Sequence, residues 1–292
     1  MTYGLDGTVT ESGGAARYRF DRAICSSDGE YVVSYEQGGT KGLVLKNERY
    51  IREINRSYYH ADRYEYPVAI FKWIDGRTVL AHCPEEYCRL ELEEIETGKR
   101  VISRESKSMD IFHSRLQANI DGRYLLSAGW VWQPEGVTWV YDLQAAAQRP
   151  EILDEGWKDH WWEGIREVNS AAFLGTDRMV LAGDDDFGSE TKDVLCVYDL
   201  KTNKLLSRVT LAETPGIMMP IGDYVMSFFK YPKLIEISTG NIVHQWQDIP
   251  SGSRGSCFIN EEEPAIHVAL NPVNKRFAVG NSESITVIAL GD

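Results

Sequence analysis

No stretch of the sequence stays apolar for the roughly 20 residues that a membrane helix needs, so a membrane role is not expected. The N-terminus, MTYGLDGTVTESGG, has neither the basic start nor the apolar run of a secretion signal. Cysteine is sparse and unpatterned: Cys25, Cys83, Cys88, Cys196 and Cys257 are odd in number and form no close-spaced framework. That argues against a disulfide-stapled scaffold and, with the missing signal, points to reduced thiols and a cytoplasmic protein. Basic residues are outnumbered, 31 Lys and Arg against 44 Asp and Glu for a formal charge of −13, and the acidic ones are scattered. A sequence-independent hold on nucleic-acid phosphates is therefore not expected, whereas a basic protein partner fits. Also missing are a nucleophile elbow, a phosphate-binding glycine loop, a His-Glu-x-x-His pair and a nucleotide fingerprint. No catalytic residue and no cofactor are assigned, and an enzyme is not expected.

What is present is repetition. Val194–Arg208 (VLCVYDLKTNKLLSR) alternates as a half-buried strand, turns at Thr202-Asn203 and starts back at Leu205-Leu206. Val137–Leu153, Arg89–Arg104 and Lys233–Trp246 repeat that pattern, Gly42–Ile54 is a degenerate copy, and Ile285–Leu290 supplies only the first half. Each full copy is expected to be an antiparallel hairpin. Upstream of each lies another tight turn, at Asp28-Gly29, Asp75-Gly76, Asp121-Gly122, Thr176-Asp177, Gly222-Asp223 and Val273-Asn274, spaced about 46 to 55 residues apart. Four short strands per unit of roughly 45 residues is the signature of a β-propeller, whose blades bury their faces only against one another. The expectation is an all-β chain of six four-stranded blades in a single domain spanning residues 1–292. The blades are placed at 16–56, 66–105, 114–154, 167–211, 216–248 and 264–290. The last unit stops after its third strand, so the N-terminal segment 1–15, with Thr2–Glu11 at its centre, is expected to add the outer strand and close the ring.

At these hairpins the chain resembles the WD-repeat family and related bacterial propellers whose strands end in Y-D-L-x-T-G-K motifs. Tyr141-Asp142 and Tyr198-Asp199 stand where that family has Trp-Asp, while Glu94-Ile95, Glu236-Ile237 and Ala289-Leu290 take the position elsewhere. His113 stands near the family's Gly-His position, with Phe112 in place of the glycine. The resemblance implies a propeller and a structural hydrogen-bonding role for His113; it implies no function, since propellers are scaffolds, lectins and enzymes alike.

The loops divide unequally. Turns between first and second and between third and fourth strands belong to one face and are short, chosen for backbone geometry. The other face carries NRSYYHADRYEY, HCPEEYC, GWVWQPEG, DEGWKDHWWEG, GDDDFGSETK and DIPSGSRGSCFINEEEP. Six of the eight tryptophans fall within residues 130–162, and only Trp139 has the strand phase of a packing residue. The connection bearing Trp157, His160, Trp161 and Trp162 either folds over the blades and buries its indoles or presents them. The expectation carried forward is that at least one is an exposed anchor, because exposed Trp, Tyr and Arg dominate binding energy at interfaces. Tyr58, Tyr59, Arg63 and Tyr64 form a comparable patch, Trp130 and Trp132 lie on the same face, and Asp184, Asp185 and Asp186 supply negative charge. His60, His82, His113 and His160 with Glu85, Glu86 and those aspartates lack ligand spacing, so no metal is expected. The reading is a monomeric protein-binding module with one aromatic and acidic face; its sharper form is an immunity or inhibitor protein that plugs a bacterial toxin. The competing class is a carbohydrate-binding or metal-assisted hydrolytic propeller in which Trp161 or Trp162 stacks a sugar beside Glu85, Glu86 or the Asp184–Asp186 run.

Overall fold

Alternation decides the strands. In Tyr31–Tyr35 the residues Tyr31, Val33 and Tyr35 are buried while those between are half-buried, so a period of two separates two sheet faces. A computed structural model describes residues 2–3, 8–10, 18, 20–132, 135–155, 162–185, 193–256, 258–259, 266–281 and 283–291. A ribbon of β1 (Thr2–Tyr3) and β2 (Val9–Thr10) precedes the first sheet, β3 (Arg22–Cys25), β4 (Tyr31–Tyr35), β5 (Lys41–Lys46) and β6 (Arg49–Asn55). The second sheet is β7 (Val68–Lys72), β8 (Thr78–His82) and β9 (Glu91–Glu94), and the third is β10 (Gln117–Ala118), β11 (Tyr124–Val131) and β12 (Glu135–Asp142). The fourth comprises β13 (Ile165–Leu174), β14 (Arg178–Asp185), β15 (Asp193–Asp199) and β16 (Lys204–Thr210), and the fifth β17 (Ile217–Ile221), β18 (Tyr224–Phe229), β19 (Tyr231–Glu236) and β20 (Ile242–Gln245). The sixth is β21 (His267–Asn271), β22 (Arg276–Gly280) and β23 (Ile285–Ala289). All six are antiparallel meanders with strands in chain order.

The six tight turns read from the sequence each join the first and second strands of a sheet. At Asp121-Gly122 the glycine is required twice over: its φ is 71°, and a Cβ would come within 2.5 Å of the Lys72 carbonyl oxygen of the neighbouring sheet.

The second strands of the second to fifth sheets, β8, β11, β14 and β18, are buried on both faces, so their alternate residues feed different cores. Leu80 packs with Val33, Val44 and Val68 between the first and second sheets, while its neighbours Val79 and Ala81 pack with Leu125 and Tyr141 between the second and third. Met179 and Leu181 face Leu126 and Val140 of the third sheet, whereas Val180 and Ala182 face Val225 and Ile235 of the fifth. Met226 and Phe228 join Phe277 and Val279 of the sixth. Each such leucine or isoleucine contributes roughly 2 kcal/mol by burial, and no sheet could bury both faces alone.

Three expectations are corrected. Val137–Leu153 is not a hairpin: after β12 the chain enters helix α1 (Leu143–Gln148) and then α2 (Ile152–Glu155). Asp142 caps α1 by accepting from the Gln144 and Ala145 amides at 3.0 and 3.1 Å, and the run Ala145-Ala146-Ala147 favours helix over strand. Arg89–Arg104 likewise gives β9 followed by a single bridge between Glu93 and Arg100, because the returning segment is tied down by charge. Arg104, fully buried, lies 2.8 Å from Asp154 and 3.2 Å from Glu91. Finally, β1 pairs with β2 (Thr2 with Thr10, Tyr3 with Val9), and among the described residues neither joins the sixth sheet.

Chain connections and second-to-third loops share one face. Buried Arg56 ties them by donating to the carbonyls of Gly39 at 2.7 Å, Ala61 at 2.7 Å and Tyr64 at 3.1 Å, with its guanidinium over the Tyr64 ring. The loop after the fifth sheet reaches this face too, bridging Phe258 to Tyr64 and setting Arg254 3.2 Å from Glu65.

Candidate functional site

An aromatic cluster forms on the connection face where the chain between the first and second sheets meets the third. Its hub is Phe112, held by reciprocal backbone bonds with Trp130 at 2.9 and 3.2 Å. The approach is so close that a Cβ on Gly129 would sit 1.9 Å from the Phe112 oxygen, so only glycine fits there. The Phe112 and Trp130 rings stack at 3.9 Å with planes 2° apart, Tyr87 stacks on Phe112 at 4.4 Å, and Phe258 lies 5.1 Å from Trp130. On this floor stand Tyr59, 4.9 Å from Tyr87, and Trp132, edge-on to Trp130 at 5.3 Å, with His60 5.4 Å from Trp132.

The sequence-predicted residues separate by burial. Tyr58 (82% exposed), Tyr59 (46%) and Trp132 (47%) present their rings to solvent, and Arg63 lies beside them with its guanidinium 3.0 Å from Asp62. Tyr64, Trp130 and Trp162 do not: each is buried. Tyr64 packs under Arg56 and against Phe112; Trp130 takes the floor of the cluster; Trp162 donates from Nε1 to the Thr138 carbonyl at 2.9 Å and packs on Tyr198. Their ring area is drawn into gaps between neighbouring elements, so they act as packing residues rather than exposed anchors. Asp184 and Asp185 are not a bare charge run, since Arg166 contacts Asp184 at 2.9 Å and Arg208 pairs with Asp185. Trp157, His160, Trp161 and Asp186 lie outside the described residues.

Phe112, Tyr87 and Phe258 were missed by sequence reasoning. The available signal was Phe112 itself, a large ring where the resembling family keeps glycine. Tyr87 donates to Asp110 at 2.5 Å, and burial followed by this carboxylate pushes its phenol above the ordinary value. Exposed Asp62, Glu85, Glu86 and Asp110 lie around the cluster, Asp62 paired with Arg63 and Glu85 with Arg100 at 2.9 Å.

Beside the cluster, His113 is fully buried with Nδ1 3.0 Å from the Ser127 hydroxyl, and burial lowers its pKa to about 4. His82 faces Glu93 at 3.1 Å. Among the described residues no three His, Cys, Asp or Glu side chains converge as metal ligands, and no helix is long and apolar enough to cross a membrane. Cys25, Cys83, Cys88 and Cys196 are free thiols; Cys25 is exposed because it falls on the outward phase of β3.

Glu65 accepts from Gln37 at 3.2 Å and from Arg254 at 3.2 Å. Burial pushes its carboxyl up, but Arg254, Arg22 and Arg115 outweigh that and hold it below the usual range. Arg22 reaches Gln37 at 2.7 Å and His267 of the sixth sheet at 2.6 Å.

Two solved structures similar to this chain have a propeller-type fold. The hydrazine synthase of Kuenenia stuttgartiensis matches over 92% of this chain and 82% of its own at a TM-score of 0.60 and 13% identity. The Pan2 WD40 domain of Neurospora crassa matches over 88% and 71% at 0.52 and 12%. At such identities the likeness is one of fold: an all-β, propeller-type chain of six antiparallel sheets. No family model matches the sequence, and no curated protein matches it.

Proposed function

We propose that the chain is a non-enzymatic protein-binding module, a WD-repeat-like propeller whose six sheets are the blades of one ring and whose connection face carries the contact surface. The ring reading is supported by cores between successive sheets and by the Arg22–His267 contact, which joins first to last. The binding reading is carried by one observation: Tyr59 and Trp132 stand half-exposed on a packed aromatic floor, with the exposed Tyr58 next to Tyr59 in the chain. Rings fixed by packing lose little side-chain freedom on binding, which is why such anchors dominate interfaces. The acidic rim and the charge of −13 favour a basic partner, and an inhibitor that caps a basic toxin is the sharper form of this reading.

The test is affinity capture from the source cell with the wild type, Tyr59→Ala with Trp132→Ala, and Lys99→Ala with Lys201→Ala on the opposite face. A specific partner is retained by the wild type and the opposite-face variant and weakened at least thirtyfold, about 2 kcal/mol, by loss of the two anchors. Equal capture by all three, with unchanged circular dichroism, overturns the assignment of the face.

A further inference from the structure

Asp110 stands apart from the other acidic groups at the aromatic cluster. Asp62 is paired with Arg63 and Glu85 with Arg100, whereas among the described residues no basic side chain forms an ion pair with Asp110, which is exposed. Its carboxylate accepts from the Tyr87 phenol at 2.5 Å. That bond fixes the charge in place, because Tyr87 is itself stacked on Phe112 at 4.4 Å and lies 4.9 Å from Tyr59. A negative charge without a counter-ion is held at the margin of packed rings whose outer members, Tyr59 and Trp132, are half-exposed.

Those two open rings meet at 69° with their centres 6.4 Å apart, so they form a corner rather than a flat wall. Ring faces are the negative pole of the aromatic quadrupole and attract cations, and a carboxylate beside them adds to the attraction. The corner is complementary to a long side chain with an apolar stem and a cationic head. Of the two such side chains arginine suits it better: the planar guanidinium stacks on rings, is weakly hydrated and donates to a carboxylate as a fork, while the lysine ammonium is compact and keeps its water. We propose that the partner inserts an arginine side chain here, with its guanidinium at the Asp110 carboxylate and its stem against Tyr59 and Trp132. The inference rests on the protein-binding reading of this face and names the group that the partner supplies.

The probes are the N-acetyl amides of arginine, lysine and citrulline, the last keeping the shape of arginine without its charge. Each is titrated into the full chain at low salt while the Trp132 indole N–H resonance, assigned with Trp132→Phe, is followed by NMR. The expected result is saturable, millimolar binding of the arginine amide that moves the Trp132 signal, about tenfold tighter than the citrulline amide and about threefold tighter than the lysine amide. Asp110→Asn keeps an acceptor for Tyr87 and removes the charge, and it brings the arginine and citrulline amides to within about threefold of each other. Equal affinity of those two probes for the wild type overturns the proposal, as does a tenfold preference that survives in Asp110→Asn or a response that spares Trp132. Affinity capture separates this inference from the assignment of the face. Capture that needs Tyr59 and Trp132 but is unchanged in Asp110→Asn overturns the arginine contact and leaves the face standing, whereas capture indifferent to all three residues removes both.

Discussion

His113 shows how one side chain ties the molecule to pH. Burial lowers its folded pKa from 6.5 to about 4, so between those values the unfolded chain binds more protons than the folded one. Stability is then fully present above the unfolded value and is lost as pH falls through the window towards the folded value, by on the order of 3 kcal/mol in all. His113→Gln keeps a hydrogen-bonding group for Ser127 without the ionisation. Its melting temperature is expected to fall less steeply over that window than the wild type's; parallel curves refute the assignment. The position of His113 was legible in the sequence through its likeness to a Gly-His pair, and its burial agrees with a structural role. The exposures of Trp130 and Trp132 were not legible. Two residues apart on the same phase, they differ because Trp130 meets Phe112 across a backbone bridge while Trp132 has passed the end of the strand.

At the scale of the element, two outer strands are replaced by other devices. Arg104 and Arg89 reach Glu91 and Asp154, Ser106 and Ser108 donate to Asp154 at 2.5 and 2.6 Å, and the second sheet is thereby stitched to α2 of the third. Burial pushes the Asp154 carboxyl up, but the two hydroxyls and Arg104 outweigh it and hold it low. Asp154→Asn leaves Arg104 buried with a reduced counter-charge and is expected to cost about 3 to 5 kcal/mol in urea unfolding. Breaking the exposed Arg149–Glu155 pair with Arg149→Ala should change stability by less than about 1 kcal/mol. A loss below about 1 kcal/mol for Asp154→Asn contradicts the role given to the network. The alternation of Val137–Asp142 was readable as a strand, whereas the following Leu-Gln-Ala-Ala-Ala-Gln was assigned by analogy with its sister repeats. Local propensity and the Asp142 cap decided otherwise. Nothing in the spacing of Arg89, Arg104 and Asp154 announces a buried network, because their partners lie up to 65 residues apart in the chain.

For the whole molecule the edges of the sheets matter most. The sixth sheet ends on β23, whose Ile285 and Val287 are 58% and 41% exposed, and among the described residues no strand lies outside it. An open edge with β-branched apolar side chains is a template for pairing with another chain, and a charge placed on it blocks that association. Val287→Lys is therefore expected to raise the soluble fraction after heating without lowering the melting temperature. Greater aggregation in the variant, measured by light scattering, counts against an exposed edge. The six-unit repeat was legible because its turns recur with residues whose backbone requirements are strict. The partnership of the N-terminus was not, since a segment of Thr and Val can pair with any available edge, and it pairs with itself.

The aromatic floor has one more property. Trp130 and Trp132 lie 5.3 Å apart with planes at 84°, close enough for their electronic transitions to couple through space and far from the parallel arrangement in which such coupling gives little optical activity. Because Trp130 is clamped by Phe112 and Trp132 is open to solvent, anything that settles on this surface shifts one chromophore against a fixed neighbour. The protein thus carries a built-in chiroptical gauge of occupancy at its proposed contact surface, readable without a label.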